Sequence, residues 1–173
     1  MLKKDISQYK ENIIEELKGK NAILTAGDKT IGFNSLTVSW GGIGVLWGRN
    51  VAYIFVRKSR YTYQFLEKSE SVTLSFLDEA YKNAVLYIGT HSGRDENKMK
   101  NAGLTYTYDP DYDGAYVEEA SYCFKMKKLY QIDLPIPQNQ AIQNQYYTED
   151  GLHTMFVCEI KQYLEREDLY ELH

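Results

Sequence analysis

Residues 120–134 and 152–167 constrain the fold of this chain more than any other feature. The first, ASYCFKMKKLYQIDL, puts Tyr122, Phe124 and Met126 on one side of a period-two pattern. The second, LHTMFVCEIKQYLERE, alternates Phe156, Cys158 and Ile160 with Met155, Val157, Glu159 and Lys161. Period two sends successive side chains to opposite faces, so each stretch reads as one long strand. Shorter runs rich in Val, Ile, Thr and aromatics precede them: AILTAG, TIGFNSLTVSW, NVAYIFVRK and SVTLSFL.

Helical spacing is confined to brief segments. Ile6, Tyr9, Ile13, Ile14 and Leu17, with Gly19 as the stop, predict an N-terminal helix over about residues 5–18. RYTYQFLEKSE predicts a short helix. DEAYKNAVLYIGT predicts one capped at Asp78 with Ala84, Val85 and Ile88 on one face, and SGRDENKMKNAGL one ending at Gly103. Residues 105–118, centred on DPDYDG, read as turns, and PIPQNQAIQNQYYTEDG as polar and irregular. Strands and helices do not alternate regularly, which argues against a parallel doubly wound sheet. The expected class is mainly β (α+β), an antiparallel barrel with peripheral helices, in one domain over residues 1–173.

Charge and cysteine usage narrow the function classes. A net charge of −4 gives no global attraction to nucleic acid, so any anion site must be a local basic cluster. No apolar run reaches the length of a membrane span, and the basic N-terminus lacks the apolar core of a secretory signal, so a cytoplasmic location is expected. Cys123 and Cys158 have no metal-ligand spacing, are too few for a disulfide scaffold, and sit in apolar alternating runs; they read as buried thiols. The three histidines make no metal site with Cys or carboxylates. The 16 tyrosines suit half-buried surfaces, subunit interfaces and ligand cavities.

Three segments carry chemistry. In RKSRYT, Arg57, Ser59, Arg60, Tyr61 and Thr62 bring guanidinium and hydroxyl donors to a strand–helix boundary, a reasonable phosphate pocket. A solvated basic edge with an ordinary helix cap accounts for the same residues. In HSGRDENKMK, Ser92 and Gly93 form a turn, Arg94 and Lys98 share a helix face, and Asp95 caps the helix or orients Arg94. A capped surface helix is the plain alternative. The third segment, NSLTVSWGGIGVLW, offers Asn34, Ser35, Thr37 and Ser39 as uncharged hydrogen-bonding groups. Gly41, Gly42 and Gly44 would let a flat ligand lie against backbone, with Trp40 and Trp47 as walls or as core residues. No phosphate-loop or dinucleotide fingerprint is present.

FNSLTVSWGGIGVLW, VRKSRYTYQFLE and GTHSGRDENKMKNAGLT, in this order, resemble the flavin reductase-like FMN-binding split-barrel family, in particular its flavoredoxin-type branch. The likeness runs from about residue 20 to the last strand. It implies a six-stranded antiparallel split barrel, a homodimer, and FMN held non-covalently near the dimer interface. Asn34, Ser35, Leu36, Thr37, Ser39 and Trp40 would line the isoalloxazine and ribityl chain. Arg60, Tyr61 and Thr62 would hold the phosphate, completed by Ser92, Gly93, Arg94, Asp95 and Lys98. Leu36 stands where relatives often carry Met, a change that leaves flavin binding intact.

The implied reaction takes hydride from NAD(P)H on bound FMN and passes electrons to a flavin or another small acceptor. Its chemistry belongs to the cofactor, so no catalytic side chain is required. An FMN-binding electron carrier reduced by a partner protein is the alternative. A barrel for another phosphorylated ring, such as a pyridoxal-type or deazaflavin cofactor, is a third. Neither nucleic acid nor a membrane is expected among the partners.

Overall fold

The two alternating stretches form the centre of the molecule. In the computed structural model, which describes residues 1–167, they are β9 (Tyr122–Asp133) and β10 (His153–Glu165), paired antiparallel almost end to end. Shifts of register after Val157 and after Ile160 mark bulges that bend this pair. The earlier strands are β1 (Leu2–Lys4), β2 (Ala22–Asp28), β3 (Gly32–Val38), β4 (Gly41–Leu46), β5 (Arg49–Arg57) and β6 (Ser71–Phe76). All eight join one antiparallel sheet in the order β3-β2-β6-β9-β10-β5-β4, with β1 added alongside the end of β10. A separate hairpin, β7 (Tyr106–Asp109) with β8 (Gly114–Val117), flanks the DPDYDG turn.

The expected antiparallel sheet with helices is present, but it has eight strands rather than six. Setting aside the three-residue β1 and the terminal β4 leaves six.

The connection Ser39–Trp40 fixes the sheet's shape. Two residues join β3 to β4, yet these strands end opposite sides of the hydrogen-bonded path. The sheet must therefore curl until its ends meet. Residues of β3 and β5 line one cavity there, with no ladder between the two strands. That gap is the split in the barrel.

The interior is filled by Leu24, Ala26, Leu36, Ile54, Val56, Leu66, Val72, Leu74, Phe124, Met126 and Phe156. A second apolar cluster lies outside β2, where Ile23 meets Leu77, Val85, Ile88, Met99, Leu104 and Val117. Strands β2 and β6 are thus buried on both faces. The outer hydroxyls of β6 stay paired: Thr73 Oγ1 donates to Ala115 O (2.8 Å) and Ser75 Oγ accepts from Val117 N (3.2 Å). Cys123 and Cys158 are buried free thiols, each pushed up to about 12 by burial.

The helices depart more from expectation. Instead of a helix over residues 5–18 there is a 3₁₀ turn (Ile6–Gln8), the single α-turn α1 (Ile13–Glu15) and a π turn (Glu16–Lys20). Asp5 and Gln8 form a reciprocal cap, and Tyr9 is extended. Its ring packs among Tyr122, Phe124 and Tyr163 at centroid distances of 5.1–5.7 Å. The apolar residues thus follow an aromatic cluster rather than one helix stripe. The short α2 (Tyr63–Lys68) and α3 (Lys82–Thr90) lie where expected, α3 preceded by a 3₁₀ turn at Glu79–Tyr81. α4 spans only Lys98–Asn101, leaving residues 92–97 as a loop. The polar segment after β9 contains α5 (Gln140–Tyr146), capped by the Asn139 side chain. Among the described residues no helix is long and apolar enough to cross a membrane.

Candidate functional site

Arg60 ends the turn after β5, while Arg94 and Lys98 flank the loop that precedes α4; the fold brings all three to one pocket. Its volume is about 180 Å³, and Leu36, Ser59, Tyr61, Thr62 and Ser92 line it too. Gly89, Thr90 and His91, at the end of α3, complete it. Sequence reasoning missed these three, although GT directly precedes the HSGRD segment. Gly89 is where α3 touches β3, since a Cβ there would lie 3.1 Å from the Thr37 side chain.

Polar contacts hold the pocket in shape. Asn34 Nδ2 donates to Thr62 Oγ1 (2.8 Å), both side chains buried, so the Thr62 hydroxyl is not capping α2. Gly93 crosses directly above Asn34, and a Cβ at that position would fall 2.2 Å from Asn34 Oδ1. Only glycine fits this crossing. Arg60 Nη2 donates to Gly89 O (3.1 Å), and the Ser92 hydroxyl accepts from the Arg94 amide (3.2 Å).

Lys98 is the unusual member. It is 4% exposed, and Nζ donates to the carbonyls of Ile88 and His91, both at 3.0 Å. An ammonium has three N–H donors, so one remains for an anion. Burial, with Arg60 nearby adding to it, pulls the Lys98 amine down to about 8 while Glu96 opposes the shift. The site is therefore short of negative charge.

A second cavity of about 170 Å³ continues from the first, and Leu36 and Arg60 line both. It occupies the split between β3 and β5, lined by Thr37, Val38, Ser39, Trp40, Phe55, Val56, Arg57 and Asp150. Trp40 stands at the rim, 41% exposed, with its ring 5.1 Å from Tyr146 and 5.0 Å from His153. His153 bonds through Nδ1 to the Tyr147 hydroxyl (3.0 Å), and burial, with Arg57 adding to it, holds its pKa below the usual value.

Several expected site residues lie elsewhere. Ser35 is fully buried on the other face of β3, its hydroxyl 2.7 Å from that of Tyr106 and 2.8 Å from that of Thr25. Arg57 is not with Arg60 in the basic pocket; its guanidinium donates to the carbonyls of Tyr146 and Gly151, both at 2.5 Å. Alternation along a strand turned both side chains away. Asp95 lies beyond the basic pocket, in an adjoining cleft. Thr37 Oγ1 donates to Val85 O (2.7 Å).

Gly41, Gly42 and Gly44 line neither cavity; they build the hairpin of β4 with β5. Gly41 has φ +147°, and a Cβ there would meet Tyr53 O at 2.4 Å. Trp47 sits in the hairpin's two-residue turn at φ +52°, 60% exposed, and is not core.

A split antiparallel barrel, with a basic pocket opening into an uncharged cavity along the split, defines a barrel built for a phosphorylated planar ligand. The chain belongs to the flavin reductase-like family, whose domain model matches residues 15–172. A search of curated protein sequences found no match.

Solved structures share the fold. Flavoredoxin of Desulfovibrio vulgaris (Miyazaki F) superimposes with a TM-score of 0.68 at 24% identity, covering 86% of this chain and 70% of the other. Flavoredoxin from Methanosarcina acetivorans gives 0.67 at 18%, covering 86% and 69%. An FMN-binding protein from Thermus thermophilus with bound p-hydroxybenzaldehyde gives 0.67 at 18%, covering 89% and 75%.

Proposed function

We propose that this protein binds FMN non-covalently in the two joined cavities and acts as an NAD(P)H-dependent flavin reductase-type oxidoreductase. One observation carries the reading: three cations converge on one pocket, and that pocket opens into a cavity with mostly uncharged walls. The donor set fits a phosphate monoester, with forked guanidinium groups, a buried ammonium with one unspent N–H, and the hydroxyls of Ser59, Thr90 and Ser92. The second cavity, between Leu36 and Trp40 on one side and Phe55 and Val56 on the other, suits a planar ring.

Bound FMN would supply the hydride-accepting chemistry. The chain's own residues do the rest. Arg60, Arg94 and Lys98 hold the phosphate. Asn34 fixes Thr62, and Gly93 lets the loop close over Asn34. Leu36 joins the two cavities and excludes water from between them. His153, its pKa lowered, adds no positive charge near the ring at neutral pH.

A homodimer accords with the surface. Val45 and Trp47 at the β4–β5 hairpin tip are 70% and 60% exposed, and Trp47 meets Tyr130 edge-on at 6.0 Å. With Leu129 and Ile132 they form an exposed apolar patch of the kind that marks interaction sites.

The test is anaerobic stopped-flow reduction. Bleaching of bound FMN by NADH or NADPH within a catalytic time supports the enzyme. Bleaching only by a reduced partner protein would instead make this an electron carrier, the reading favoured by the likeness to two flavoredoxins.

A further inference from the structure

A third cleft, of about 500 Å³, adjoins the basic pocket, and Tyr61, Arg94 and Lys98 line both. Its volume falls within the usual range for small-molecule sites. The FMN reading leaves it unused. From its walls we infer that it is a nucleobase subsite: it takes the base of an adenosine nucleotide whose phosphate lies in the basic pocket. The inference rests on the assignment of that pocket to phosphate.

Aromatic rings wall the cleft, and neighbours fix their positions. Phe65 meets Tyr61 edge-on at 5.4 Å, and Phe33 lies 5.9 Å from Tyr106. The Tyr106 hydroxyl is tied to Ser35 Oγ. Such rings form a stacking surface for a base. The Arg94 guanidinium lies over the Tyr61 ring at 5.2 Å, so a phosphate-binding cation and a base-stacking surface are adjacent. A nucleotide presents these two demands in the same order, phosphate then ring.

The rim selects the kind of ring. The Asp95 carboxylate has no hydrogen-bond or ion-pair partner among the described residues, and Asn97 spends its side-chain oxygen on the Lys100 amide, keeping its NH₂. A carboxylate there repels a second phosphate but accepts from an exocyclic amine, while an amide NH₂ donates to a ring nitrogen. An aminopurine offers both groups.

Two sources carry this chemistry: the adenosine half of FAD, and a separate adenine nucleotide such as AMP or NAD(P)H. Equilibrium titration of the full chain, freed of flavin, with FMN, FAD, AMP and inorganic phosphate separates them. Phe33→Ala and the bulk-preserving Phe33→Leu probe the aromatic wall without touching the cations.

AMP is expected to displace FMN at concentrations at least tenfold below those inorganic phosphate needs, and both variants are expected to erase that advantage while binding FMN as before. FAD binding tighter than FMN, and weakened by Phe33→Leu, assigns the subsite to the cofactor's own adenosine. Displacement by AMP without an FAD preference assigns it to a separate nucleotide. If AMP competes no better than phosphate and FAD binds no better than FMN, the subsite is overturned. Failure of the wild-type chain to bind FMN at all would instead strike the proposed function.

Discussion

Gly93 and Asn34 approach so closely that a single methyl group at position 93 would fall 2.2 Å from the Asn34 side-chain oxygen. Asn34 in turn holds Thr62, so one contact ties the 92–97 loop to the start of α2. Gly93→Ala is expected to push the loop out and weaken FMN binding at least tenfold. The loop lies outside both apolar clusters, so the melting temperature should change little. Flavin fluorescence titration beside a thermal melt checks both.

Arg60 lines both cavities and has one described bond, to a carbonyl. Losing its charge-assisted contact with a phosphate should cost about 1.5–3 kcal/mol, roughly ten- to a hundredfold in affinity. Arg60→Ala should therefore weaken FMN but leave riboflavin, which lacks the phosphate, nearly unchanged. Equal losses for both ligands would remove Arg60 from the phosphate end.

Lys98 predicts a pH dependence. Its amine is lowered to about 8 because the folded protein disfavours the charged form. A bound phosphate favours that form, so binding above pH 8 takes up a proton and FMN affinity falls as pH rises through about 8. Lys98→Met should flatten this slope. The same shift acts on the flavin-free protein: between about pH 8 and the ordinary lysine value near ~10.4, the unfolded chain binds more protons, so stability should rise with pH. Denaturant melts across that window check the sign.

Trp47 holds a left-handed turn position and exposes most of its ring. Trp47→Asp should leave the fold intact and shift the protein toward monomer in analytical ultracentrifugation. A dimer unchanged by that substitution would place the interface elsewhere.

The sequence reveals the long strands because alternation sustained over a dozen residues matches the pleat of a strand and not the turn of a helix. It reveals the basic pocket because RKSRYT and HSGRDENKMK keep their cations on turns, where side-chain direction is not dictated by a strand. Ser35 and Arg57 fail for the opposite reason: each sits in or ends a strand, and pleating sends its side chain away from the expected partners. α5 escapes because it buries no residue and so has no apolar stripe to detect. The N-terminal segment misleads because its apolar spacing serves the Tyr122–Phe124–Tyr163 cluster, which lies far away in sequence. The glycine run also reads differently in three dimensions. Gly41 is required by the backbone of Tyr53, not by a ligand.

The most direct test is the visible spectrum of the purified protein, followed by identification of whatever denaturation releases. Bound FMN in the joined cavities predicts a yellow protein with flavin absorption bands that releases one FMN per chain. A colourless protein that takes up no added FMN, or one that releases a pyridoxal-type or deazaflavin chromophore, would contradict the account.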